Sequence, residues 1–251
     1  MLRSIKSMQG QAIKTHNNEP IGTLQDFYFD NHDWIIRYLV VETTPSSRLV
    51  LISPEAVVAS DPADETLTMN LTVSQIQASP DIDIKSSITP QQEAELRSHY
   101  GWPILDAPRG ALLTEYRVLD PAPTLEESDE NILPEAVEEA HRLQEANRVL
   151  KYAVQARDGE AGQVEDFLID DESWTLQYLV VDTGSWLSGR KVLVSPSYVY
   201  QIDWAEAVVH IDLNQETVKN SPEYDLESST SQEFEERVYD PQDQNKAWLQ
   251  R

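Results

Sequence analysis

Polar and apolar positions alternate along this chain in short runs, and the runs occur twice. In Asp26-Phe27-Tyr28-Phe29-Asp30 the two carboxylates fall on one face of an extended segment, with Phe27 and Phe29 on the other. Asp166-Phe167-Leu168-Ile169-Asp170 repeats that alternation. Each run leads into a polar stretch, Asn31-His32-Asp33 or Asp171-Glu172-Ser173, whose side chains can bond their own backbone and shape a turn. Trp34 to Val41 and Trp174 to Val181 are rich in β-branched and aromatic residues and predict the returning strands of two hairpins. This pattern predicts burial of Phe27, Leu39, Val41, Phe167, Leu179 and Val181.

Downstream, Leu49 to Ile52 and Val192 to Val194 predict a third strand. Ser53-Pro54 and Ser195-Pro196 read as a cap followed by proline at the first position of a helical turn. Val57-Val58 and Val199-Tyr200 resume the sheet, and Leu67 to Leu71 and Val208 to Leu213 supply a last strand. Short strands in close succession predict small barrels, because closure removes exposed sheet edges.

The duplication extends to residue identity. At an offset of 140, ten of the 23 positions in Ile21–Thr43 are identical to Ala161–Thr183, among them Gly22/Gly162, Asp26/Asp166, Phe27/Phe167, Trp34/Trp174 and Tyr38/Tyr178. At an offset of 142, Val50-Leu51-Ile52-Ser53-Pro54 meets Val192-Leu193-Val194-Ser195-Pro196, and Ser79-Pro80 meets Ser221-Pro222. Upstream, Leu2 matches Leu143 and Ala12 matches Ala153 at 141. The expected organisation is a first domain over 1–82, a linker over 83–142, a second domain over 143–225 and an acidic, flexible tail over 226–251. Within the linker, Thr89-Pro90-Gln91-Gln92 carries a threonine cap, proline at N1 and glutamine at N3, and Gly101 followed by Pro103 marks a stop. A helix near 90–100 that packs on a barrel is therefore expected, with another short helix over 134–140.

Composition narrows the function. The chain of 251 residues carries 44 acids and 19 bases, a formal net charge of −25. Up to Leu119 the net is −6 (15 acids, 9 bases), and from Asp120 onward it is −19 (29 acids, 10 bases). Such a surface repels phosphate backbones, so nucleic acid is not an expected partner, and it suits solubility or attraction to a basic protein. No apolar run reaches the ~20 residues that span a bilayer, so no integral membrane segment is expected. The first residues lack the apolar core of a secretory signal, which predicts a cytoplasmic protein, peripheral at most to the inner membrane face. Cysteine is absent, which excludes disulfides, thiolate metal sites and cysteine nucleophiles.

No catalytic, cofactor-binding or metal-binding set emerges from the residues. The five histidines are scattered, no phosphate-cradling glycine loop or nucleophile elbow occurs, and the serines sit mostly beside prolines as caps. Asp26, Asp30 and Asp33, echoed by Asp166, Asp170 and Asp171, form the best acidic group, but their spacing departs from a calcium loop and an exposed hairpin turn accounts for them. Trp186 and Leu187 lie in a loop that the second copy extends by two residues, beside Arg190. Tryptophan and arginine are favoured interface anchors, so Trp186, Leu187 and Arg190 are the candidate contacts for a partner; equally, Trp186 can fold back over its own barrel.

Gly22-x-x-x-Asp26-Phe27, the Tyr38-Leu39-Val40-Val41 run, the strand-plus-Ser-Pro step and Trp186-x-x-Gly189-Arg190-Lys191-Val192-Leu193 resemble the PRC-barrel family. That family is named for the cytoplasmic barrel of the photosynthetic reaction-centre H subunit, and it also supplies the C-terminal domain of a ribosome-maturation factor. The resemblance covers both copies, and Tyr100-Gly101-Trp102-Pro103 is similar to a segment that follows the first barrel in tandem relatives. It implies a mainly β fold of two tandem small barrels and no particular reaction. The H subunit's membrane-spanning helix has no counterpart here. The expectation is a non-enzymatic protein-binding adaptor or assembly module, with a basic or membrane-associated protein partner. Alternatives are a self-associating structural or stress-response protein, a homo-oligomer, a reaction-centre-like accessory factor in electron-transfer or photosynthetic assembly, and an enzyme with a site between the barrels.

Overall fold

A computed structural model describes residues 1–82, 88–103, 143–184 and 189–224. The chain is mainly β, and both copies contribute to one sheet of 14 strands among the described residues. The first copy comprises β1 (Leu2–Ser4), α1 (Ile5–Met8), β2 (Ala12–Thr15), β3 (Pro20–Asp30), β4 (Ile35–Thr43), β5 (Leu49–Ile52), a 3-10 turn at Pro54–Ala56, β6 (Val57–Asp61), β7 (Thr66–Met69) and α2 (Val73–Gln77). The helix α3 (Pro90–Tyr100) follows. The second copy repeats the series as β8 (Leu143–Glu145), α4 (Ala146–Val149), β9 (Ala153–Ala156), β10 (Gly159–Asp170), β11 (Thr175–Asp182), β12 (Lys191–Val194), a turn at Pro196–Tyr198, β13 (Val199–Asp203), β14 (Val208–Ile211) and α5 (Gln215–Lys219).

The local signals act as expected. Ser53 and Ser195 accept from Glu55 N and Ser197 N, capping the 3-10 turns with proline just inside. Thr89 and Gln92 form a complete capping box on α3, which ends at Gly101 with φ of +73°. Phe27, Leu39, Val41, Phe167, Leu179 and Val181 are all fully buried. The identical Gly22 and Gly162 have a close-approach role: a Cβ at either would collide with the backbone carbonyl of Glu42 or Asp182 on the paired strand. The helix expected over 134–140 and the tail over 226–251 lie outside the described residues.

The hydrogen-bonded order differs from two separately closed barrels. The path runs β13-β14-β9-β10-β11-β4-β3-β2-β7-β6 and is open at both ends, with β5 attached to β4 and β12 to β11. Two features join the copies. β1 of the first copy pairs antiparallel with β10 of the second (Leu2↔Asp170, Arg3↔Ile169, Ser4↔Leu168). Reciprocally, β8 of the second copy pairs with β3 of the first (Leu143↔Asp30, Gln144↔Phe29, Glu145↔Tyr28). The copies thus exchange their leading arms. Ile5 and Met8 on one arm, and Ala146 and Val149 on the other, are fully buried in a core cluster that contains residues of both copies. A repeat alignment detects the arms as similar but is silent on which copy each one joins, since both acceptors carry the same sequence pattern.

Candidate functional site

The junction between the copies is where identical residues converge. The hairpin ends meet through backbone: Leu176 N donates to Trp34 O (2.7 Å) and Ile36 N donates to Trp174 O (2.8 Å). Both tryptophans hold φ of +56°, a left-handed turn conformation that costs a non-glycine residue energy and places each carbonyl toward the other copy. Beneath them Phe29 stacks on Trp34 at 5.5 Å and touches Phe167 at 5.8 Å between ring centroids. Lys6 on the first arm pairs with Glu165 of the second copy at 2.9 Å.

Asp26 and Asp166 sit under the exchanged arms. Asp26 Oδ1 accepts from Phe27 N (2.7 Å) and from Asn147 N (3.2 Å) on the second copy's arm. Asp166 accepts from Phe167 N (2.8 Å), from Lys6 N (3.3 Å) and from the hydroxyl of Ser4 on the first copy's arm. Each carboxylate thereby caps the short helix of the other copy. Burial pushes Asp26 up to about 7, even though backbone donors pull the other way. Burial also raises Asp166.

These placements correct the sequence expectation that the hairpin carboxylates are exposed. Asp26, Asp30 and Asp166 are all nearly buried. The turn role itself holds for one pair: Asp30 Oδ1 accepts from His32 N (2.9 Å), and Asp170 accepts from Glu172 N (3.4 Å). Bulges between Leu24 and Asp26 and between Tyr28 and Phe29 break the simple alternation, so Phe27, Tyr28 and Phe29 are all buried. Among the described residues no group of three or more histidine and acidic side chains is arranged to hold a metal ion.

Of the expected partner contacts, Trp186 and Leu187 lie outside the described residues. Arg190 pairs with Glu223 at 3.1 Å. Its equivalent, Arg48, donates to the carbonyls of Gln77 (3.1 Å), Ser79 and Pro80 (3.0 Å) and lies 3.7 Å from Asp81. In both copies this arginine ties the strand after the β4–β5 type loop to the segment that ends the repeat. Arg48 lines a cleft in the first copy, and the second copy has a cleft that shares the equivalent positions Thr43/Thr183 and Val73/Gln215 but does not include Arg190. The first, of about 300 Å³, is lined by Ile21, Pro45, Val50, Val73 and Ile76; the second, of about 500 Å³, by Glu160, Gln163, Asp182 and Gln215. The first cleft mixes apolar walls with Thr43, Ser46 and Arg48, and the second carries two carboxylates, Glu160 and Asp182.

A further pair of equivalent residues escaped the pattern reading. Val58 on β6 and Tyr200 on β13, related by the offset of 142, are 57% and 64% exposed. Their strands are the two ends of the sheet path, each paired on one side only among the described residues. The apolar Val57-Val58 step signalled a strand, but strand identity alone does not say which strand becomes an edge. No known family model matches the chain, and no curated protein is similar to it at a significant level.

Proposed function

We propose that this chain is a non-enzymatic, cytoplasmic protein-binding adaptor or assembly module, built from two PRC-type barrels fused by exchanged arms. The observation that carries this reading is the pair Val58 and Tyr200: two large apolar side chains held in solvent at equivalent places on the two edge strands. An edge strand offers unpaired backbone donors and acceptors to an incoming strand, and exposed apolar side chains there supply the contact area. The net charge of −25 favours a basic partner and speeds its arrival. A partner at the inner membrane face fits the same reading; no described helix is long and apolar enough to cross a membrane. The buried carboxylates support a structural rather than a catalytic role, since Asp26 and Asp166 are engaged by backbone and arm donors.

The test is capture from native lysate with the wild-type chain and with a Val58→Glu/Tyr200→Glu variant that keeps its melting temperature. A stoichiometric basic protein recovered by the first and lost by the second supports the proposal. Recovery of the chain alone points to self-association, and a partner retained by the variant removes the edge strands from the reading.

A further inference from the structure

The two arm seats are built alike and charged differently. Asp26 and Asp166 each lie under the arm of the other copy, 8% and 2% exposed. Around Asp166 the first copy's arm brings the Ser4 hydroxyl and the Lys6 backbone donor, and the Lys6 ammonium favours the ionised carboxylate. Lys6 and Lys191 share Glu165, at 2.9 Å and 3.4 Å. The positions equivalent to Ser4, Lys6 and Lys191 are Glu145, Asn147 and Leu49. The seat of the second copy's arm thus has a carboxylate, an amide and an apolar side chain in place of a hydroxyl and two cations.

Among the described residues no lysine or arginine forms an ion pair with Asp26. From β8 and α4 come Glu145, a like charge whose Oε1 accepts from the Tyr28 hydroxyl (2.8 Å), and Arg148, whose guanidinium lies over the Trp204 ring at 5.2 Å. On β4 the partner of Asp26 is Val40, and Glu42 accepts from the Gln25 amide (3.1 Å). From α1, Gln9 donates to the Asn147 side chain (2.8 Å), while Lys6 is turned to Glu165. Only the backbone donors of Phe27 and Asn147, with the Asn147 side chain, favour a charge on Asp26.

We propose that the second copy's arm, β8 with α4, is a proton-gated latch, seated on β3 while Asp26 is protonated and released far more often once Asp26 ionises, whereas the first copy's arm stays in place. Release hydrates Asp26, parts it from Glu145, and bares the β3 edge from Tyr28 to Asp30 with the seats of Ala146 and Val149. With the arm seated, burial holds the Asp26 carboxyl up to about 7; with the arm released, water returns it to its ordinary 3.8. The seated form therefore holds the proton more tightly. The ratio of released to seated arm is lowest below pH ~4, rises as pH climbs toward 7 and is constant above that. Burial raises Asp166 as well, but Ser4 and Lys6 pull it back, so the first arm responds less. The latch goes beyond the adaptor reading and stands independently of it.

Amide hydrogen exchange in the full chain, read residue by residue by NMR at about pH 5.5 and pH 8 and divided by the intrinsic rate at each pH, measures arm opening. The probes are Asn147 and Leu150 in one arm and their equivalents Lys6 and Gln9 in the other; Leu150 N donates to Ala146 O (3.3 Å) and Gln9 N to Ile5 O (3.2 Å). Protection at Asn147 and Leu150 should fall at least ~10-fold from the lower pH to the higher, and at Lys6 and Gln9 less than ~3-fold. Asp26→Asn should abolish the fall. Glu145→Gln, which removes only the neighbouring like charge, should reduce it and keeps the test decisive where Asp26→Asn does not fold. A fall of equal size in both arms would mean that the whole junction opens and would overturn the latch. So would the absence of a fall, or one of full size in a folded Asp26→Asn or Glu145→Gln variant.

Discussion

Trp34 and Trp174 accept hydrogen bonds across the pseudo-symmetric junction from each other's neighbouring strands, at 2.7 Å from Leu176 N and 2.8 Å from Ile36 N. Two residues 140 positions apart thus close their hairpin turns in the same left-handed backbone conformation, and each hairpin completes the hydrogen bonding of the other. With the exchanged arms, this makes the second copy part of the first copy's sheet.

Because Phe29 touches both Trp34 and Phe167, it belongs to the core of both copies. Phe29→Ala should cost about 3–5 kcal/mol, as expected for a large buried aromatic. Urea unfolding followed by fluorescence and circular dichroism should remain one transition shifted as a whole. Two transitions, with only one displaced, would mean that the copies unfold as separate units.

The buried Asp26 gives stability a definite pH dependence. Its folded pKa, raised from 3.8 to about 7, means that the neutral form is favoured in the native state. Its contribution is therefore fully present below pH ~4, declines as pH rises toward 7 and is constant above that. Asp26→Asn keeps an acceptor for Asn147 N and abolishes the decline. The variant should gain a few kcal/mol over wild type between pH 4.5 and pH 7.5, at about 1.4 kcal/mol per pK unit. Denaturant midpoints at the two pH values check this; parallel shifts in both proteins would place the charge in water.

Gly22 and Gly162 should both be intolerant of a methyl group, Gly162 the more so because its φ of +130° also strains an L side chain. The Cβ of alanine at either meets a strand carbonyl that the ladder holds in place. Each Gly→Ala change should cost about 1–3 kcal/mol, the usual range for overpacking. Thermal melts of the two single variants suffice to test it, and a neutral result at either would show that the β3–β4 or β10–β11 pair can separate locally.

Arm exchange also predicts how an isolated copy behaves. A fragment of residues 1–103 retains β1, which has lost its acceptor β10, and β3, which has lost its partner β8. Two fragments satisfy each other by exchanging β1. Light scattering with size-exclusion chromatography should report a dimer that dissociates on dilution. A cooperative melt from a strictly monomeric fragment would show instead that β1 can fold back onto its own β3.

The sequence alone determined the duplication, the hairpins, the caps at Ser53, Thr89 and Ser195, and the inward set from Phe27 to Val181. These are encoded in residues close together: a side-chain period of two, a proline behind a serine, or a glycine after a helix. It did not determine that Asp26 and Asp166 would be buried, because what buries them is an arm more than 100 positions away, bonded through Asn147 and Lys6. Nor could it assign β1 and β8 to opposite copies. Either arm fits either acceptor by pattern, and the choice was made by the contacts of the assembled junction: Phe29 against Phe167, and the tryptophan carbonyls against the opposing strands. The tertiary structure alone decided that Val58 and Tyr200 would stand on the two end strands of the described sheet, since being an edge is a property of strand order, which no strand carries in its own residues.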